Sequence, residues 1–374
     1  MIVTLCALII ANSPLKEIYN NIFHHIYIIR DFNLHMIIND FLMAIFFLSV
    51  GLEIKKEILY GVLSSFRKAS FPIMASIGGV IVPAIIFTVI NKNTQYSHGM
   101  GVVISTDIAF AIGIFMIFKS KLNPNLKIFL LSLAVVDDLI SVLAIGFLYS
   151  SNLNYNAIII SLFVVLALFS LNKIFKLQKI SVYLIVGMLL WYFIYISGIH
   201  STISGVILAF LIPSNKVNNK ESISDKLEHK LSIISNRVIL PLFAFANTAI
   251  TFNFSAGVPN SSNLILGIIC GLAIGKPLGV MLFSFIATKL HIAEKDKATS
   301  WKSIFSVSLL TGIGFTMSIF VAEIAFSNSQ NVVNIAKVSI LIASILSVVS
   351  TQLFLNFDQG ILSVKRLIRQ VTSH

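Results

Sequence analysis

Runs of apolar residues alternate with short polar connections along almost the whole chain. Most runs approach the ~20 residues that a helix needs to cross the hydrocarbon core of a bilayer. They predict about 12 transmembrane helices, at residues 1–12, 36–59, 70–91, 100–118, 128–149, 156–171, 181–198, 200–213, 235–251, 263–288, 304–326 and 335–356. The segment 214–236 is predicted to be a charged loop without apolar periodicity. No stretch indicates an appended soluble domain, so we predict one all-α integral-membrane domain over residues 1–374.

The first apolar run is short. Residues 1–11 cover only about half of a membrane span, and no charged region precedes them as a signal peptide would require. We expect the natural chain to start upstream; the alternative is a first helix that crosses only half of the membrane.

Composition supports the membrane assignment. Hydrophobic residues make up 57% of the chain and charged residues 11%, whereas soluble domains contain about 25% charged residues. Both cysteines, Cys6 and Cys270, lie in apolar runs, so no disulfide, metal framework or cofactor is predicted.

The basic residues indicate the topology. Of 27 Lys and Arg residues, 22 fall in alternate connections and the C-terminal tail. The opposite connections contain only Lys16, Arg30, Lys92 and Lys337. By the positive-inside rule, this distribution predicts that both termini are cytoplasmic. It also explains the net charge of +12, so no nucleic-acid partner is implied.

Four ionisable residues lie deep inside predicted spans. Asp137 and Asp138 are adjacent in the run 128–149, and Asp107 and Lys276 lie in two other runs. Intramembrane acids are costly and indicate ion or proton pathways. Neighbouring helical residues point about 100° apart, so one of the adjacent aspartates can pair with Lys276 while the other faces a water-filled cavity. A purely structural ion pair is the alternative for Lys276, but one lysine cannot neutralise three carboxylates.

Three further polar residues have weaker signals. Asp40 and Glu323 are predicted to lie near the outer surface, where solvation or helix capping explains them. His200 lies in a tight turn between two spans and is predicted to form a local hydrogen bond.

Two segments favour interrupted helices. The sequences TDIAFA (106–111) and TGIGFT (311–316) resemble one another and lie at mid-membrane depth. A helix can unwind there if the freed backbone lines a cavity; tight helix packing is the alternative role for the glycines. If both helices break, Asp107 offsets the positive ends of the half-helices and Lys276 the negative ends. The likeness of spans 3–5 to spans 10–12 indicates inverted-topology repeats.

Seven stretches in regular order carry a resemblance to a known family. They are GLEIKKEILYG (51–61), FPIMASIGGVIVPA (71–84), STDIAFAIG (105–113), LAVVDDL (133–139), LPLFAFAN (240–247), IGKPLG (274–279) and TGIGFTMSIF (311–320). With them the chain resembles the NhaA family of sodium/proton antiporters. The resemblance implies crossed, interrupted helices 4 and 11, an ion site on helix 5, and a homodimer in the bacterial inner membrane.

The resemblance also implies residue roles. Asp138 and Asp137 match the cation and proton site, where Na⁺ would bind. Thr106 and Asp107 match the helix break and its compensating acid, and Lys276 matches the lysine that pairs with Asp137. Glu53, Lys55, Lys56, Glu57, Glu228 and His229 match the cytoplasmic, pH-responsive region. Lys56 stands where many relatives have Arg, which weakens bidentate pairing, and solvated charges beside anionic lipid are the alternative for this group.

We therefore expect a pH-regulated, electrogenic antiporter, not an enzyme, that exports Na⁺ and Li⁺ in exchange for external H⁺ and serves sodium and pH homeostasis. Two close carboxylates titrate as a unit and hold either the metal ion or protons. A passive cation channel is the alternative that the residues do not exclude. An intramembrane aspartyl protease is a weaker one, because its acids typically lie on separate helices.

Overall fold

The computed structural model describes residues 2–29, 32–150, 152–215, 222–250, 260–296 and 299–372. The α-helices are α1 (Ile2–Ala11), α2 (Lys16–Asn20), α3 (Leu34–Met36), α4 (Met43–Tyr60), α5 (Phe66–Ile90), α6 (Ile108–Ile117), α7 (Leu126–Leu148), α8 (Tyr155–Lys173), α9 (Ile180–Ile196), α10 (Ile203–Leu211), α11 (Ile223–Ile234), α12 (Leu240–Asn247), α13 (Ser261–Ile269), α14 (Lys276–Lys289), α15 (Trp301–Thr311), α16 (Phe315–Ala325) and α17 (Gln330–Thr372).

Shorter elements connect or extend these helices. Wider π-helical turns occupy Asn21–His25, Ile37–Leu42, Ser235–Ile239 and Cys270–Gly275, and 3₁₀-helices occupy Val62–Ser64 and Ser97–Val103. The strands β1 (Tyr27–Ile29) and β2 (Phe32–Asn33) pair antiparallel in a small ribbon that the helical prediction did not include.

Six helical stretches in the described chain are long and apolar enough to cross a membrane. They are Leu34–Tyr60, Phe66–Ile90, Leu126–Leu148, Tyr155–Lys173, Ser261–Lys289 and Gln330–Phe357. Three bent pairs raise the number to nine if each pair forms one span. Large apolar side chains such as Phe147, Ile117 and Ile185 are exposed, as expected for a surface in contact with lipid. The predicted total of about 12 spans stays a prediction.

Both predicted interruptions are present. Ser97–Val103 and α6 are bent by 42° around residues 104–107, and α15 and α16 are bent by 45° around residues 312–314. The repeat symmetry that the sequence indicates stays a prediction.

The prediction of a loop over residues 214–236 is wrong where the chain forms α11 (Ile223–Ile234). The Ser222 side chain accepts a hydrogen bond from the Asp225 amide at 3.1 Å, and the Asp225 carboxylate accepts one from the Ser222 amide at 3.3 Å. This capping box starts a helix. Leu227 and Leu231, one turn apart, pack on the hydrophobic core. Each leucine follows a lysine in the sequence, so their apolar face is too short to appear as a periodic pattern. At the other end of the chain, α17 continues to Thr372, beyond the predicted end at residue 356.

The chain divides into two compact units. The first comprises Met1–Ser65, Asp138–Pro259 and Ile319–Lys337, and the second comprises Phe66–Asp137, Asn260–Ser318 and Val338–His374. In the first unit, α4, α8, α9, α10 and α11 share a core that contains Leu52, Tyr183 and Leu190. The second unit contains both helix breaks, at residues 104–107 and 312–314, together with Asp107, Asp137 and Lys276.

Two glycines bring α5 and α14 together in the second unit. A Cβ atom on Gly78 would collide with the carbonyl oxygen of Gly279, and a Cβ atom on Gly279 would collide with that of Gly78. Only glycine at both positions therefore permits this close approach. The contact fixes the helix that carries Lys276 against the helix that carries Ser76.

Candidate functional site

Asp107 joins the two helix breaks of the second unit. Its carboxylate accepts hydrogen bonds from the Phe110 amide at 2.9 Å, from the Thr316 amide at 3.1 Å and from the Thr316 hydroxyl. Its own amide donates to the Ile313 carbonyl at 2.8 Å. One buried carboxylate thus caps the N-terminus of α6 and the first turn of α16, the positive ends of two half-helices.

Lys276 contacts the negative end of the half-helix at the first of these breaks. Its ammonium group donates to the carbonyl of Ile104, the residue that follows the 3₁₀-helix Ser97–Val103. The freed carbonyls at the end of a half-helix carry partial negative charge, so the lysine stabilises that end. It begins α14 directly after the π-helical turn Cys270–Gly275, and turns of this type are common at functional sites.

Lys276 and Asp137 form a fully buried ion pair. Lys276 Nζ lies 2.7 Å from Asp137 Oδ2, and both side chains have no exposed surface. The Thr106 hydroxyl donates to the same oxygen at 2.6 Å and lies 3.2 Å from the Thr311 carbonyl. Asp137 Oδ1 has no hydrogen-bond partner among the described residues. The aspartate therefore has one oxygen committed to the protein and one available to an ion or a proton.

Asp138 is buried as deeply as Asp137, with 1% and 0% of their surfaces exposed. It follows Asp137 on α7 and is the first residue of a stretch that belongs to the first unit. Asp137 and Asp138 supply carboxylate oxygens, Thr106 a hydroxyl and Thr311 a carbonyl. Oxygens of these kinds are the ligands that hard cations prefer.

Among the six candidates for pH response, Glu53 lies within electrostatic reach of Lys56, Glu57 and Glu228. Lys56 Nζ contacts Glu228 Oε2 at 2.9 Å, a single ion-pair contact at a half-exposed lysine. Glu53 is half-buried on α4, and His229 is exposed on α11. Glu57 accepts a hydrogen bond from the Val62 amide at 2.9 Å, which holds the turn after α4.

Lys55 stabilises the end of a helix. Its ammonium group donates to the carbonyls of Ala209, Phe210 and Ile212, at 3.2 Å and 2.9 Å for the first two. These are the last carbonyls of α10 and its C-cap, where a cation also interacts favourably with the helix dipole. The structure thus gives Lys55 a capping contact that its sequence motif did not reveal.

A cavity of about 400 Å³ opens in the first unit. Its lining includes His35, Asn39, Asp40, His200, Ser201 and Glu323. Asp40 accepts a hydrogen bond from the Ser201 hydroxyl at 3.0 Å. The predicted local hydrogen bond of His200 is confirmed, since its Nδ1 lies 3.1 Å from the Thr202 hydroxyl. Burial lowers the pKa of His200 to about 4, so its ring is neutral near pH 7.

One ion pair beside this cavity was not among the predictions from the sequence. Glu323, expected at the outer edge, pairs with Lys337, and their side chains are only 13% and 6% exposed. The available signal was two opposite charges in consecutive apolar helices, because intramembrane charges tend to pair. The hydrogen bonds of Thr316 to Asp107 were also missed, because TGIGFT (311–316) indicated a helix break but not the partner of each hydroxyl.

Comparison with known proteins gives a consistent result. The model of the family described as Na+/H+ antiporter 1 matches residues 1–355. The chain is 44% identical over 363 residues to Na(+)/H(+) antiporter NhaA 2 of Aliarcobacter butzleri. It is 40% identical over 395 residues to Na(+)/H(+) antiporter NhaA of Helicobacter pylori, and 41% over 356 residues to that of Pelagibacter ubique. Each match covers 93% of this chain and 90–91% of the relative.

Proposed function

Because the chain belongs to the Na+/H+ antiporter 1 family, whose members are transporters and not enzymes, we propose that it exchanges sodium ions for protons across a membrane. The observation that carries the proposal is the buried Asp137–Lys276 ion pair beside two interrupted helices. Its buried carboxylate needs a cation, and either the lysine, a metal ion or a proton can supply the positive charge.

The exchange follows from competition at Asp137 and Asp138. Sodium binding is favoured when the carboxylates are deprotonated and when Lys276 releases Asp137. Protonation of the carboxylates expels the metal ion, because the two cations need the same oxygens. If the carboxylates face only one side of the membrane at a time, this competition couples the two fluxes. The Thr106 hydroxyl, which donates to Asp137 Oδ2 at 2.6 Å, orients this oxygen.

The proposal also covers the direction of transport, the charge moved, the response to pH, and the assembly and location of the protein. The transporter exports Na⁺ and Li⁺ from the cytoplasm, moves net charge, responds to pH and works as a homodimer in the bacterial inner membrane with both termini cytoplasmic. Net charge movement couples the cycle to the membrane potential, worth about 2.3 kcal/mol per charge per 100 mV.

Proteoliposomes with a trapped pH-sensitive dye test this function. In vesicles that carry a proton gradient, addition of Na⁺ or Li⁺ should move protons and change the dye signal, with rates that depend on pH. Protein-free liposomes are the control. A passive channel would instead conduct sodium without sodium-dependent proton movement, and Li⁺ binding without proton release by the purified protein would contradict the competition.

The Lys56–Glu228 ion pair offers a test of pH response. Glu53 lies within electrostatic reach of Glu228 and Lys56, and Asp225 within reach of Lys56. Glu228→Gln removes a negative charge, so neighbouring acids lose protons more easily and the activity–pH profile should move to lower pH. The repulsion between Glu228 and a neighbouring acid is of the same order as a surface ion pair, about 0.2–1 kcal/mol, so the profile should move by up to ~0.7 pH unit.

The exposed Lys230 on the same helix provides the matched control. Lys230→Gln also removes one charge from α11 and should leave the profile in place. An unchanged profile in Glu228→Gln would assign these charges to solvation beside the lipid instead.

A further inference from the structure

We infer that Ser76 on α5 is an additional oxygen ligand for the alkali cation at Asp137 and helps to set the affinity of this site. The inference rests on the proposed function and adds to it a ligand from a third helix. Three observations on the second unit carry it.

The first observation is the state of the Ser76 hydroxyl. Ser76 is fully buried, and its Oγ has no hydrogen-bond partner among the described residues. A serine or threonine in a helix usually donates to the carbonyl four residues earlier, as Thr88 does to Ala84 at 2.8 Å in the same helix. A buried hydroxyl without a partner is costly, so this one calls for a ligand.

The second observation is that the side of α5 that carries Ser76 faces Lys276. Gly79 lies one turn after Ser76, and a Cβ atom there would be 4.0 Å from Lys276 Cε. Residues three apart share a helix face, so Ser76 faces the same side as Gly79. Its hydroxyl lies close enough to donate toward the Asp137 carboxyl, although the contact falls short of the geometry of a full hydrogen bond.

The third observation is the packing next to the site. Ala75, Leu133 and Val280 form a buried cluster that joins α5, α7 and α14. Ala75 adjoins Ser76 in the chain, while Leu133 and Val280 each lie four residues, about one helical turn, from Asp137 and Lys276. The three helices thus converge at the level of the ion pair and hold Ser76 there.

These positions give the cation two neighbouring oxygens, Ser76 Oγ and Asp137 Oδ1, neither of which has a hydrogen bond of full geometry among the described residues. A neutral hydroxyl and a carboxylate are both suitable ligands for a hard alkali cation. When Lys276 releases Asp137, the ion can therefore replace the ammonium group without leaving the hydroxyl unsatisfied.

Sodium-dependent transport by reconstituted full-length protein tests the assignment. Ser76→Ala should raise the apparent KM for Na⁺ about tenfold, as expected for loss of one polar contact to a charged group, and should alter KM more than the maximal rate. Ser76→Cys keeps the side-chain volume but offers a soft sulfur, a poor ligand for a hard cation. It should raise KM as well, and it answers the question if the alanine variant fails to fold.

Ser284 provides the matched control. It is fully buried on α14 with an unpartnered hydroxyl, but lies eight residues, about 12 Å along the helix, from Lys276. Ser284→Ala should keep the wild-type KM. Thermal stabilisation of the purified protein by Na⁺ gives a second readout independent of turnover, and it should weaken only in the Ser76 variants.

The possible outcomes distinguish failure of the Ser76 assignment from failure of the proposed function. If the wild-type protein exchanges sodium for protons but the Ser76 variants keep its KM and its stabilisation by sodium, this inference alone is overturned. If the wild-type protein shows no sodium–proton exchange, the proposed function fails and this inference fails with it.

Discussion

Asp138→Asn should abolish sodium–proton exchange while the protein still inserts into the membrane. The asparagine side chain keeps the size of aspartate but loses the negative charge that attracts sodium and the site that takes up the proton. A lost contact to a charged group of about 3 kcal/mol lowers sodium affinity by about 100-fold. Loss of the proton site then prevents any remaining sodium binding from being coupled to proton movement.

Insertion should survive because a neutral amide costs less at membrane depth than a buried carboxylate. Proton movement on addition of Na⁺ to proteoliposomes measures the effect, and the yield of membrane-extracted protein measures insertion. Asp296→Asn is the control, since Asp296 is exposed in a connection between helices. Proton-coupled sodium flux at the wild-type rate in Asp138→Asn would remove this residue from the ion site.

Lys276→Ala should destabilise the protein strongly and change the pH dependence of transport. The substitution leaves Asp137 buried with no ammonium partner, and breaking a buried ion pair in this way costs about 3–5 kcal/mol. The Thr106 hydroxyl still donates to Asp137 Oδ2, but a hydroxyl does not neutralise the charge. The Ile104 carbonyl loses its donor as well.

The loss of stability should depend on pH with a definite sign. Protonation of Asp137 removes the unpaired charge, so the decrease in Tm should be largest at alkaline pH and shrink as the pH falls. Thermal unfolding of the detergent-solubilised protein across pH measures it, with Lys289→Ala, an exposed lysine at the end of the same helix, as control.

A second variant separates charge from packing. The double variant Lys276→Ala/Asp137→Asn removes the unpaired charge and should recover part of the lost stability. Equal Tm values for wild type and Lys276→Ala at alkaline pH would show that the ion pair does not hold the fold.

The sequence by itself determined the membrane character of the chain and the deep position of four charges, and it marked two segments at which a helix can break. These properties are local. Hydropathy measures the cost of burying each residue, and Gly, Thr and Asp around residues 106 and 312 mark segments that can unwind where the freed backbone lines a cavity. The seven matching stretches added the family and the expected pairing of Lys276 with Asp137.

Only the tertiary structure decided the partners. Lys276 and Asp137 are 139 positions apart, and residues alone left open which of two adjacent aspartates meets the lysine. The structure also made Lys55 the cap of α10, formed α11 within a charged stretch and brought Ser76 to the ion pair. Those outcomes depend on which helix faces pack together, as the contact of Gly78 with Gly279 illustrates. A single sequence shows the residues on each face but does not show which faces meet, because packing is a property of pairs of helices.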